Sequence, residues 1–176
     1  MDPVSVVAVI VSVLALGVSI YFGWCTRDHN RRSVKPLPYV APNDYEDYIC
    51  VRLWNYGSGP MVLSEVIARH SVTHGTGHII KLVPDPPDGV FFSDYVEVEP
   101  GRAVLPGESL DLLALSVDEG KTKEAQYRDQ LRDFLGNVTV SVSYKNIYDC
   151  SFPVYERTLE WYHRGGKRES HPKTDS

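Results

Sequence analysis

Cysteine is scarce in this chain, with three in 176 residues, at positions 25, 50 and 150. So thin a supply excludes a disulfide framework of the kind that stabilises small secreted domains. The spacings that carry chemistry are missing as well. Gly57-Ser58-Gly59 lacks the Gly-x-Ser-x-Gly spacing of a nucleophile elbow, and no glycine run leads into a helix with a lysine, as a phosphate cradle requires. A basic excess is also absent. The formal net charge is -5, and residue 36 onward carries 14 basic against 21 acidic side chains, which leaves no positive field for nucleic acid. No enzyme class is supported, and the sequence assigns no catalytic, cofactor-binding or metal-ligating residue.

Charge is missing altogether from residues 4–24, VSVVAVIVSVLALGVSIYFGW. Twenty-one such residues cross a hydrocarbon core of about 30 Å at about 1.5 Å per residue. A cleavable signal needs a basic start and small residues at the cut, but the chain opens Met1-Asp2-Pro3 and bulky Trp24 precedes Cys25. The expectation is a retained transmembrane helix. Basic residues cluster on one flank only, at Arg27, Arg31, Arg32 and Lys35, so the positive-inside rule places the N-terminus outside and the rest in the cytoplasm. Tyr21, Phe22 and Trp24 then form the interfacial aromatic belt. In a reducing compartment Cys50 and Cys150 are free thiols, whereas the reversed orientation would permit a bridge between them.

Beyond the span, Ser33-Val34-Lys35-Pro36-Leu37-Pro38 holds two prolines and reads as an extended connector, a short stalk. Residues 48–55 (YICVRLWN) alternate, with Ile49, Val51 and Leu53 on one face and Cys50, Arg52 and Trp54 on the other, the pattern of a half-buried strand. A breaker cluster, Tyr56-Gly57-Ser58-Gly59-Pro60, follows as a turn. Further strands are expected at 61–69, 79–83, 90–98, 110–116, 138–144 and 152–161, separated by Pro, Gly and Asp loops. Residues 121–135 (KTKEAQYRDQLRDFL) read as a helix stopped by Gly136. The pattern predicts a mainly β domain, an antiparallel sandwich with one short helix, behind a single N-terminal span. Its divisions are a tail at 1–3, the transmembrane helix at 4–24, a basic juxtamembrane stalk at 25–37, the sandwich at 38–163 and a disordered tail at 164–176.

The strand ending Leu53-Trp54-Asn55-Tyr56-Gly57-Ser58-Gly59-Pro60, the turn Leu105-Pro106-Gly107-Glu108-Ser109 and the hairpin Lys145-Asn146-Ile147-Tyr148-Asp149-Cys150 behind an N-terminal span resemble a diffuse group of bacterial single-span membrane-anchored proteins of unknown function. The resemblance implies an immunoglobulin-like β-sandwich and supplies no catalytic residues. Such proteins commonly have glycine where this chain has Cys150.

Four constellations invite a chemical reading. His70, His74 and His78 are evenly spaced, but Thr73-His74-Gly75-Thr76-Gly77 breaks regular structure between them, so a polar loop is preferred to a metal site. Asp85, Asp88 and Asp94 match no calcium loop. In Asn55-x-Gly57-x-Gly59-Pro60 the asparagine is expected to bond nearby backbone, and the glycines to supply positive φ in a tight corner. Asn137-Val138-Thr139 fits a glycosylation acceptor, which a cytoplasmic domain would not use. Within the span, Ser5, Ala8, Ser12, Ala15 and Ser19 form a stripe of small residues suited to close helix packing. The functional expectation is a membrane-anchored, non-catalytic binding or scaffolding module. Its partners are the lipid bilayer and a protein, and not nucleic acid. The alternative is a membrane effector or small subunit that forms a homo-oligomer through the span.

Overall fold

The computed structural model describes residues 2–164 apart from 46 and 119; the expected disordered tail lies almost wholly outside the described residues. The first element, α1 (Pro3–Ser33), carries proline at its start, where a missing N–H costs nothing. Within it Val6–Asn30 is long and apolar enough to cross a membrane, and none of that window is covered by the rest of the chain. The helix runs nine residues past Trp24 without a break, so the expected stalk is mostly helical. Only residues 34–37 form the connector, and Pro36 in it is buried.

Among the described residues nine strands build two antiparallel sheets. Their ranges are β1 (Pro38–Asp44), β2 (Tyr48–Asn55), β3 (Met61–His70), β4 (Thr76–Gly77), β5 (Asp94–Tyr95), β6 (Ala103–Val104), β7 (Ser109–Ser116), β8 (Val138–Lys145) and β9 (Tyr155–Thr158). One sheet has the order β1-β2-β7-β5. In the other the order is β4-β3-β8-β9, with β6 also pairing β3. Alternation in β2 puts Ile49, Val51 and Leu53 into the core, where they meet Leu63, Val140 and Val142 from the facing sheet. Burying each such side chain contributes about 2 kcal/mol.

Two short helices complete the domain, α2 (Ile79–Leu82) and α3 (Thr122–Leu135), before a final 3-10 turn at Glu160–Arg164. Tyr127, Leu131 and Leu135 recur every four residues and form the buried face of α3. The helix is tied to β1 by Arg132, which donates to both carboxylate oxygens of Asp44 at 2.6 and 2.9 Å. Tyr162 in the final turn donates its hydroxyl to the Cys50 carbonyl at 2.6 Å.

Three expectations are corrected. In the segment 79–83, Ile79–Leu82 is helical rather than extended. The apolar run is too short for periodicity to tell strand from helix, and Ile79 docks into the core from one helical turn. Most of 90–98 is irregular, with only Asp94–Tyr95 paired to β7. Between Ser33 and Tyr48 the sequence reading placed no strand, yet β1 pairs with β2 over seven residues; its Pro38 and Pro42 are tolerated because β1 is an edge strand.

Candidate functional site

The strand directions define two ends of the sandwich. At the near end lie the start of β1, the 55–60 turn, β6, the 105–108 turn and the end of β8. The register fixes this grouping, since Pro38 pairs with Asn55, Met61 with Val104 and Val62 with Lys145. The connector from α1 enters here. At the far end lie the 44–48 and 71–75 loops, Ser116 and the start of β8.

Asn55 organises the near end. It is fully buried, and its carboxamide makes four hydrogen bonds to three separate segments. Its Nδ2 donates to the Gly59 carbonyl at 2.8 Å and to the Val104 carbonyl at 2.9 Å. Its Oδ1 accepts from the Gly57 N–H at 3.0 Å and from the Leu37 N–H at 3.2 Å. The Asn55 backbone also exchanges bonds with the 105–108 turn, donating to Glu108 and accepting from Gly107. Every polar atom of the side chain is thereby satisfied, as burial demands.

The connector is gripped by the same turn. Tyr56 N–H donates to the Leu37 carbonyl at 2.9 Å and Ser58 N–H to the Lys35 carbonyl at 3.0 Å. The Ser58 hydroxyl donates to the Ser33 carbonyl at the end of α1 and accepts from the Lys35 N–H. The expectation that the Asn55 side chain bonds nearby backbone holds for Gly57 and Gly59, and its bonds to Leu37 and Val104 reach beyond the turn. The expectation that the glycines supply positive φ is corrected. Neither Gly57 nor Gly59 is among the glycines with positive φ. They are needed for space, because a Cβ on Gly57 would lie 2.5 Å from Leu37 N and 2.6 Å from Pro36 Cα, and one on Gly59 would lie 2.8 Å from Val34 backbone.

A second buried asparagine shapes the neighbouring loop. Asn146 Oδ1 accepts from Tyr148 N–H at 2.9 Å and Cys150 N–H at 3.0 Å, while Asp149 takes the left-handed conformation at φ 58°. The loop thus places its strained position one residue before Cys150. It holds Ile147 and Tyr148 exposed at the near end, where Leu37, Tyr56 and Leu105 are also exposed. On the adjoining sheet face Tyr56 stacks on Trp54, with ring centroids 5.6 Å apart, and leans against Tyr39. Arg157 caps Tyr39 at 5.8 Å.

The other residues singled out by sequence do not converge. His70 is buried, stacked on Phe134 at 4.1 Å, with Nδ1 accepting from Thr73 N–H. His74 is exposed in the turn, and His78 precedes α2. Among the described residues no group of three His, Cys, Asp or Glu side chains is placed to hold a metal. Asp85 and Asp88 are exposed in one loop and Asp94 in β5. Cys50 is buried towards the far end and Cys150 lies at the near end, both free, which removes the bridge considered for the reversed orientation. Asn137 donates its side-chain amide to the Asp133 carbonyl. In α1, Ser12 and Ser19 donate to the Ala8 and Ala15 carbonyls of their own helix.

One charged pair on the sheets has a structural role. Arg52 donates to both oxygens of Asp111 across β2 and β7, and this hydrogen bonding holds the guanidinium's pKa above its ordinary value. Burial pushes Tyr127 up to about 12, and its hydroxyl donates to the Pro84 carbonyl at 2.6 Å.

No family model matches the chain, and no match was found among curated proteins or solved structures.

Proposed function

We propose that the chain is a membrane-anchored, non-catalytic binding or scaffolding module that holds a β-sandwich at a fixed attitude on the cytoplasmic face of a membrane. The observation that carries this reading is the continuity from span to domain. The apolar helix α1 runs unbroken to Ser33, and the next four residues are hydrogen-bonded into the sandwich rather than left as a free linker. An enzyme tethered for localisation alone needs no such grip, whereas a module that presents a surface at set height and orientation does.

The fold supports a recognition role. The orders β1-β2-β7-β5 and β4-β3-β8-β9 correspond in chain sequence to the A-B-E-D and C′-C-F-G sheets of an immunoglobulin sandwich, which favours the finer fold reading. The cytoplasmic orientation rests on Arg27, Arg31, Arg32 and Lys35 flanking one side of the span. The surface left for a protein partner is the far end, where Tyr45 and the loop carrying Phe91 flank the end of β7 and Phe91 is 79% exposed.

Photo-crosslinking in intact membranes tests the reading, with the reactive group placed at Phe91 or Tyr45 of the full chain. A discrete crosslinked product from the far end, absent when the group is placed at Ser143 within β8, is expected. Uniformly absent products at both far-end positions would overturn the scaffolding role.

A further inference from the structure

The near end of the sandwich exposes Leu37, Tyr56, Leu105, Ile147 and Tyr148, each at least 42% accessible. Exposed apolar side chains scattered singly over a surface need no explanation. These five come from four segments far apart in sequence, and the register gathers them at the one end through which the chain leaves towards α1. Two buried asparagines, Asn55 and Asn146, hold the loops that display Tyr56, Ile147 and Tyr148. The display is therefore built, not frayed.

We propose that this end rests on the bilayer, with these five side chains entering the lipid headgroup layer. The inference depends on α1 being a retained span. Because α1 is uncovered by the sandwich, it projects away from the domain. From Trp24, the last residue of the apolar run, to Ser33 the helix rises about 14 Å at about 1.5 Å per residue. The headgroup region occupies about 5–8 Å of that on each side of the hydrocarbon core. The remaining gap is about one large side chain deep, and a helix tilt of about 20° shortens it further. The connector bonds at Lys35 and Leu37 keep the domain from drifting off.

The chemistry fits that depth. Tyrosines place a ring against apolar matter and a hydroxyl in water, which suits the headgroup level, while leucine and isoleucine reach slightly deeper. Lys145, the nearest cation of the β8 loop, is paired with Asp149 at 2.6 Å, so attraction to anionic lipid falls to the basic flank Arg27, Arg31, Arg32 and Lys35, while the five apolar side chains need no lipid charge. Contact is accordingly expected on neutral lipid and at high salt.

The test uses the full chain carrying Cys25→Ser and Cys150→Ser, with Cys50 left in place because it is buried. A polarity-sensitive dye is attached in turn at Ile147→Cys, Leu105→Cys, Val72→Cys at the far end and Phe22→Cys in the span. Each labelled protein is reconstituted into phosphatidylcholine vesicles containing a headgroup-linked quencher. Quenching at Ile147 and Leu105 several-fold above that at Val72, and unchanged in high salt, is expected. If Phe22 is quenched while Ile147 and Leu105 match Val72, the resting contact is overturned and the anchor stands. If Phe22 itself escapes quenching, the anchor reading fails, and the contact with it.

Discussion

Asn55 and Leu37 are joined by a hydrogen bond of 3.2 Å that links the last residue of a core strand to the connector below the apolar helix. The same carboxamide binds the Val104 carbonyl, 49 positions further along the chain. One buried side chain thus couples the attitude of the domain to the direction of α1.

Replacing Asn55 is the first test of that coupling. Asn55→Ala strands the Leu37, Gly57, Gly59 and Val104 backbone groups, with an expected loss of about 2–4 kcal/mol in urea unfolding of the full chain in detergent. Asn55→Asp keeps the accepting oxygen but turns the other towards two carbonyls. It is expected to be at least as damaging at neutral pH and to recover in part as acid protonates the new carboxyl.

Gly57→Ala separates space from backbone freedom. Since Gly57 does not adopt positive φ, the cost arises from collision with residues 35–37. Hydrogen exchange should quicken at the Leu37, Tyr56 and Ser58 amides while Val142 in β8 stays protected. Equal loosening throughout would place the fault in the fold, and no change would remove the grip.

The sequence foretold the parts of this site and not their joining. Strict alternation made β2 legible over residues 48–55, and helix formers ending at Gly136 made α3 legible. Asn55 was read as a local turn residue because its remote partners lie 18 and 49 positions away, and no local pattern marks such a bond. Likewise β1 was hidden by two prolines that only an edge position excuses, and α2 by an apolar run of strand-like length.

Arg132 and Asp44 are both largely buried, with side-chain exposures of 15% and 10%. Arg132→Ala leaves a poorly solvated carboxylate at the end of β1 and is expected to cost about 1–3 kcal/mol. Arg132→Lys should restore only part, because a point charge replaces a two-pronged donor. Thermal melting of the pair of variants reads the difference.

Alkaline pH should destabilise the domain in a defined window. Burial raises Tyr127 from an ordinary value of 10.0 to about 12, and Tyr48 likewise to about 12. The folded state therefore holds these protons more tightly than the unfolded chain, so their stabilisation is complete below about pH 10 and lost as pH rises through about 12. Tyr127→Phe should lose about 1 kcal/mol with its bond to Pro84 at neutral pH, and flatten the alkaline slope measured by chemical unfolding.

The most direct test of the central claim is protease access to a C-terminal tag on the full chain in intact cells or spheroplasts, read together with the length of the chain. A retained anchor with a cytoplasmic sandwich gives a full-length membrane-bound chain whose tag survives until the membrane is opened. A tag cut from outside, or a shortened chain released from the membrane, would contradict it.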